Sequence, residues 1–126
     1  MNMKSLISII TIAIIASTPI RAEETPEEAK TSATALITAI VDKDHAAFKA
    51  QGDEMFSKAL TKEIFDDVHA KLAPRIKAGY EMTYLTELTR QGQKVTLWKL
   101  TFKDGGDDAL ATLSMKDGKV SGFFIQ

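Results

Sequence analysis

The stretch SMKDGKVSGFFIQ, residues 114–126, holds two apolar-alternating runs joined by Asp117-Gly118. Asp-Gly between such runs is a strong short-range hairpin signal, because a two-residue turn needs positive φ at its centre. The second run stays apolar to its last residues, whereas chain ends are usually polar and frayed unless something ties them down. A bare apolar strand edge would also template pairing with other chains. The expectation is therefore that this strand lies inside the sheet. It pairs with residues 108–116 on one side and is covered on the other by the segment around Met55-Phe56.

Working back from this hairpin, the period stays at two to Gly79. Runs at 80–89, 94–103, 108–116 and 119–126 are separated by Gln91-Gly92-Gln93, by Asp104-Gly105-Gly106-Asp107 and by Asp117-Gly118. Such turn chemistry between alternating runs predicts an antiparallel meander. With Asp117-Gly118 and Gly105-Gly106 as two-residue turns, counting outward predicts the pairs Met115–Val120, Ala111–Phe124, Leu100–Ala111 and Phe102–Ala109. One face then collects Trp98, Leu100, Phe102, Ala111, Leu113, Val120 and Phe124. For the first hairpin, a two-residue loop puts Glu81 and Glu87 on that apolar face. A three-residue loop brings Tyr80, Met82, Tyr84 and Leu88 there instead. Burying carboxylates is costly, which favours the longer loop. The opposite face is mixed, with Leu85, Leu97, Phe123 and Ile125 among charged and hydroxyl residues, and is a candidate homodimer surface.

Before Gly79 the period is that of helices. Thr25, Pro26 and Glu28 spell a capping box, followed by Ala29, Ala33, Leu36, Ile37 and Ile40 on one face. A short second helix is expected with Asp44 as cap and Phe48 as anchor, ending at Gly52. Residues 53–60 are ambiguous, and Met55-Phe56 could supply a brief extra strand near 55–57. Thr61 caps a clearer helix with the stripe Ile64, Phe65, Val68 and Leu72, and Pro74 closes it or leaves one distorted turn. Helices first and then a meander predict an α+β domain: N-terminal helices packed on a curved four-stranded antiparallel sheet.

The chain opens with Lys4, an apolar run over residues 6–16, Pro19 and a small residue at Ala22, the pattern of a signal peptide cleaved near Ala22. The expectation is an exported protein, periplasmic or secreted, without a membrane span after cleavage. Removing residues 1–22 of the 126 leaves 104, enough for one small domain over 23–126. Lys4 and Arg21 leave with the signal, so 14 basic side chains face 17 acidic ones and the net charge is −3. That balance argues against a nucleic-acid partner. The absence of cysteine removes thiolate metal sites and cysteine nucleophiles, and leaves stability to packing.

The element order, together with Phe48 to Asp53 leading into 55–57, Leu60 to Glu63 opening a helix, the Gly79 boundary and residues 116–124 at the end, resembles the nuclear-transport-factor-2-like superfamily. More closely it resembles the small exported members of that superfamily, with their cystatin-like α+β arrangement. The resemblance covers about residues 29–126. It implies a cone-shaped cavity between sheet and helices, and homodimers packed through the sheet. Enzymatic members of the isomerase and dehydratase type carry Asp, His or Tyr residues in that cavity; no such set maps onto this sequence.

Tyr80, Met82, Tyr84, Trp98 and Phe102 form the large-residue part of the apolar sheet face. They read either as plain core or as the lining of an aromatic cavity that orients an apolar small molecule. Asp53, at a break between elements, reads as a cap or as a cavity carboxylate. The preferred function is a non-catalytic binding or interaction domain without a cofactor. The alternative is a cofactor-free cavity enzyme using Asp53, Tyr80 or Tyr84. His69 lies one helical turn from Asp66, the spacing of a surface pair. His45 beside Asp42 and Asp44 falls short of the three or four firm ligands a zinc site needs, so no metal site is expected. Asp104 to Asp108 is explained by a hairpin turn.

Overall fold

The computed structural model describes residues 24–126, so the expected signal segment lies outside the described residues. Four helices precede a four-stranded antiparallel sheet of order β1-β2-β3-β4, an α+β fold. Helix α1 spans Glu27–Asp42 and buries Ala29, Ala33, Leu36, Ile37 and Ile40, the stripe read from the sequence. Its cap differs from expectation: Pro26, not Thr25, holds the N-cap position, with no side-chain cap, and its carbonyl accepts the Lys30 N–H at 3.0 Å. Glu27 and Glu28 still sit in the first turn, where the helix dipole favours them.

Helices α2 (His45–Ala50) and α3 (Glu54–Ala59) are short, each started by an aspartate. Asp44 accepts the Ala47 N–H and Asp53 accepts the Phe56 N–H at 2.8 Å. The second cap decides the ambiguous segment: residues 55–57 are helical, not a fifth strand. The segment pairs with the sheet in a single parallel bridge, Gly52 to Val120. A Cβ at Gly52 would lie 2.0 Å from the Phe56 ring, so glycine is required for the chain to pass there. Helix α4 (Lys62–Lys77) starts at Thr61 and runs through Pro74, which has no N–H to give the Ala70 carbonyl and precedes the end of the helix by only three residues.

The strands are β1 (Tyr80–Arg90), β2 (Gln93–Phe102), β3 (Ala109–Lys116) and β4 (Lys119–Ile125). Gln91-Gly92 and Asp117-Gly118 both have positive φ at each residue, the geometry of tight hairpin turns. The first hairpin therefore has the two-residue loop, with Arg90 opposite Gln93. A bulge between Tyr84 and Thr86 then restores the favourable faces, placing Tyr84, Met82 and Tyr80 opposite Trp98, Leu100 and Phe102. Leu88 pairs with Val95 on the outer face instead of lying inside, and Glu87, opposite Thr96, stays half-buried.

A second bulge, between Met115 and Ser114, reverses the end of β4. Met115 faces Val120 as counted, but Leu113 faces Phe123 and Thr112 faces Phe124. Phe123 and Ile125 consequently pack against the core, whereas Phe124 is 68% exposed. The outer patch expected from Leu85, Leu97, Phe123 and Ile125 thus loses its last two members and gains Phe124. Neither bulge is visible in alternation alone, because one extra residue in one strand inverts every later side chain.

Between β2 and β3 the register is displaced by two residues from the count, with Leu100 opposite Ala109 and Trp98 opposite Ala111. A two-residue shift preserves the faces. The longer connection is held by Arg75 of α4, whose Nε donates to Asp104 at 2.7 Å and whose Nη2 donates to the Asp107 carbonyl at 2.6 Å. Its guanidinium also lies 4.0 Å from the Phe102 ring centre. β4 is an edge strand, not an interior one: beyond Val120 no strand among the described residues continues the ladder.

Candidate functional site

Phe48 is the hub from which the site is built. Its ring contacts Phe65 at 5.3 Å, Phe56 at 5.7 Å and Phe123 at 6.3 Å, so the core continues as an aromatic cluster under the margin of the sheet. Past this cluster the packing stops. A groove of about 750 Å³ opens between α3, α4 and the free side of β4. Its walls are Phe56, Leu60, Ile64 and Val68 from the helices and Phe123 and Ile125 from the strand. The size and apolar lining are those of a ligand-binding cleft. Met55 and Ile64, 81% and 50% exposed, stand at its mouth with Phe124.

Few polar groups reach the groove. Asp53, Lys116, Gln93 and Ser121 lie on its rim. The Asp53 Oδ1 is engaged by the Phe56 N–H, and its own backbone N–H donates to the Val120 carbonyl at 2.8 Å. The Ser121 hydroxyl donates to Gln93 Oε1. Lys116 has no ion-pair partner among the described residues.

Of the residues read from sequence as cavity or catalytic candidates, Asp53 alone borders this groove. Trp98 and Phe102 are 1% and 5% exposed, inside the packed core. The Trp98 indole N–H donates to the Thr96 hydroxyl at 2.8 Å, and that hydroxyl reaches the Leu113 carbonyl, so the polar tip is satisfied by protein. Tyr84 stacks obliquely on Trp98 at 5.3 Å, and Met82 and Tyr80 pack half-buried beside it. Burial pushes the Tyr80 phenol up from its ordinary range. Tyr80 and Tyr84 stand on β1 and Asp53 beyond β4, at opposite edges of the sheet. The groove brings Asp53 together with neither tyrosine.

The histidines serve the scaffold. The His69 ring nitrogen Nδ1 lies 2.6 Å from the Ile40 carbonyl and ties α4 to the end of α1, while Asp66 pairs with Lys62. His45 packs on Phe65 and meets the Leu60 carbonyl. No group of three or more acidic or histidine side chains among the described residues is placed to hold a metal ion.

The groove walls read from sequence only in other roles, as a helix stripe, a possible strand and a dimer face. Their signal was present in α4, where Ile64 beside Phe65, Val68 and Leu72 makes a stripe wider than one contact face needs. No protein-family model matches the chain, and no curated protein matches it.

Proposed function

We propose that this chain is a small exported binding domain, a member of the nuclear-transport-factor-2-like superfamily, that takes a ligand with an apolar body in the groove between α3, α4 and β4. Residues 1–22 serve as its cleaved signal. The observation that carries the reading is the unfilled apolar groove beside a core that is otherwise closed. The Asp53 carboxylate on its rim is occupied as a helix cap, and the tyrosines lie across the sheet, which favours binding over proton transfer.

The test uses the mature protein and the apolar fluorophore anilinonaphthalene sulfonate. Ile64 is half exposed, so Ile64→Glu is expected to leave Tm within about 2 °C of the parent, as for surface changes generally. It should weaken fluorophore binding by about tenfold, since a charge enters an apolar wall. Unchanged binding would place the fluorophore elsewhere and refute the reading. A homodimer through the outer sheet face is a second reading, favoured by the row Leu97, Thr112, Phe124 across β2, β3 and β4. Sedimentation of Phe124→Ser as a monomer beside a dimeric parent is its expected signature.

A further inference from the structure

The free side of β4 forms one wall of the groove, and its backbone chemistry says more than its apolar side chains do. Leu110 and Gln126 exchange both backbone hydrogen bonds, at 2.7 and 3.0 Å. In an antiparallel ladder such pairs alternate, so Phe124 and Gly122 also bond inward to β3. Phe123 and Ile125 therefore turn their N–H and C=O groups away from the sheet, towards the groove side. The same outward row begins at Val120, whose N–H and C=O are taken by the Gln51 carbonyl and the Asp53 N–H. This chain thus starts a fifth strand, in parallel, for a single bridge. The Asp53 cap then turns it into α3, and the row beyond is left open.

A row of paired donors and acceptors repeating every second residue, about 7 Å apart, matches an extended peptide backbone. The apolar walls beside it match alternate side chains of the same strand. At the hairpin end, Lys116 faces Lys119 across the ladder and lines the groove without a carboxylate partner among the described residues. That local positive charge complements an acidic residue. We infer that the groove takes an extended peptide segment that adds to the β4 edge, apolar at alternate positions and acidic at the end nearest Lys116. The inference rests on the groove reading above and names the class of its ligand.

The probe is a blocked peptide of about six residues, alternating valine and threonine and carrying one glutamate at an end, the length the open edge accommodates. It is made with the glutamate at either end, because the edge admits either strand direction. Two N-methylated forms are made of the tighter binder, each blocking one alternate set of amides. The peptide is expected to displace anilinonaphthalene sulfonate from the groove. Methylating one set should weaken it by about tenfold or more, since the bonds to the Phe123 and Ile125 carbonyls are lost, while the other set stays within about twofold. Amide exchange at Phe123 and Ile125 should slow when the peptide is added, and replacing the peptide's glutamate by glutamine should weaken it for the parent but not for Lys116→Glu, each compared by direct titration of the peptide.

Equal loss from both methylated sets would show an apolar ligand without strand pairing and overturn the inference. Fluorophore binding that the peptide fails to displace would overturn it too, with the groove reading intact. Failure of the fluorophore itself to bind would remove the groove reading first. Protection of Phe123 and Ile125 that grows with protein concentration before any peptide is added would assign the edge to a second copy instead.

Discussion

The centre of the sheet and its β4 margin are built from the same kinds of residue and reach opposite ends. At the centre, Leu36, Ile37 and Ile40 of α1 close on Trp98, Leu100, Ala111 and Leu113, none more than 1% exposed. At the margin, Phe56, Leu60, Phe123 and Ile125 are only partly buried, and Met55 and Phe124 are largely exposed. The difference is helix length. Helices α1 and α4 each span 16 residues and cover several strands, whereas α2 and α3 have six residues each and cannot reach across the last one. Apolar area closed at the centre goes into stability; apolar area left open at the margin is available to a ligand.

The sharpest way to break this contrast is to cut the centre. Trp98→Ala is expected to cost about 3–5 kcal/mol, the range for emptying a large aromatic site in a packed core. Chemical denaturation reads this directly. Trp98→Phe separates packing from polarity: most of the volume stays, but the Thr96 hydroxyl loses its indole partner, for about 1 kcal/mol. A Trp98→Ala protein as stable as its parent would mean that the centre is not the stabilising region.

Next in size is the margin strand itself. Deleting Phe124 to Gln126 removes both Leu110–Gln126 bonds, the Phe124–Thr112 pair and the half-buried Ile125; set against the ordering entropy of three residues, the net loss is about 2 kcal/mol. A domain of this size holds about 5–15 kcal/mol in all, so the truncated chain should melt at markedly lower temperature. A loss as large as that of Trp98→Ala would make β4 part of the centre and erase the comparison.

Alternation and turn residues carried most of this architecture in plain view. Gly79, Gln91-Gly92 and Asp117-Gly118 mark the breaks, Asp44 and Thr61 the helix starts, and the inner row Trp98, Leu100, Ala111, Leu113 survives a register displaced by two. The bulges at Leu85 and Ser121 were not legible, because they depend on which side chains can be buried three-dimensionally and not on local propensity. The groove was hidden for the same reason. Its floor comes from Phe56 and Phe123, each assigned to another role by local pattern, and its existence follows from the shortness of α3, bounded by the Asp53 cap at its start and by extended Leu60 and the Thr61 cap of α4 at its end.

A smaller effect tests how the far end of the sheet is fastened. The hydrogen bond from Arg75, aided by the Gly106 N–H, holds the Asp104 carboxyl below the usual carboxylate range. A carboxylate whose folded value is lowered stabilises the fold above its unfolded pKa, about 3.9, and loses that contribution as the pH falls through the folded value. Asp104→Asn should therefore melt below the parent at pH 6, by less than the truncation. The gap should narrow below about pH 4 and close in stronger acid. A gap that is constant across this range would mean the Arg75 contact acts through shape alone.

The smallest expected change in stability is the most informative about the margin. Met55 is 81% exposed at the groove mouth, so Met55→Ser removes little buried area and should alter stability by no more than about 0.5 kcal/mol. Binding is another matter, because a ligand seated in the groove would cover that side chain and bury its apolar surface at about 25 cal/mol per Å². Weaker fluorophore binding with unchanged Tm is the expected pair of results. A stability loss comparable to a core substitution would mean that Met55 already closes onto something, and that the margin is a continuation of the core. An unchanged affinity would confine the ligand to the inner wall, between Phe56 and Phe123, and leave the mouth with no part in recognition.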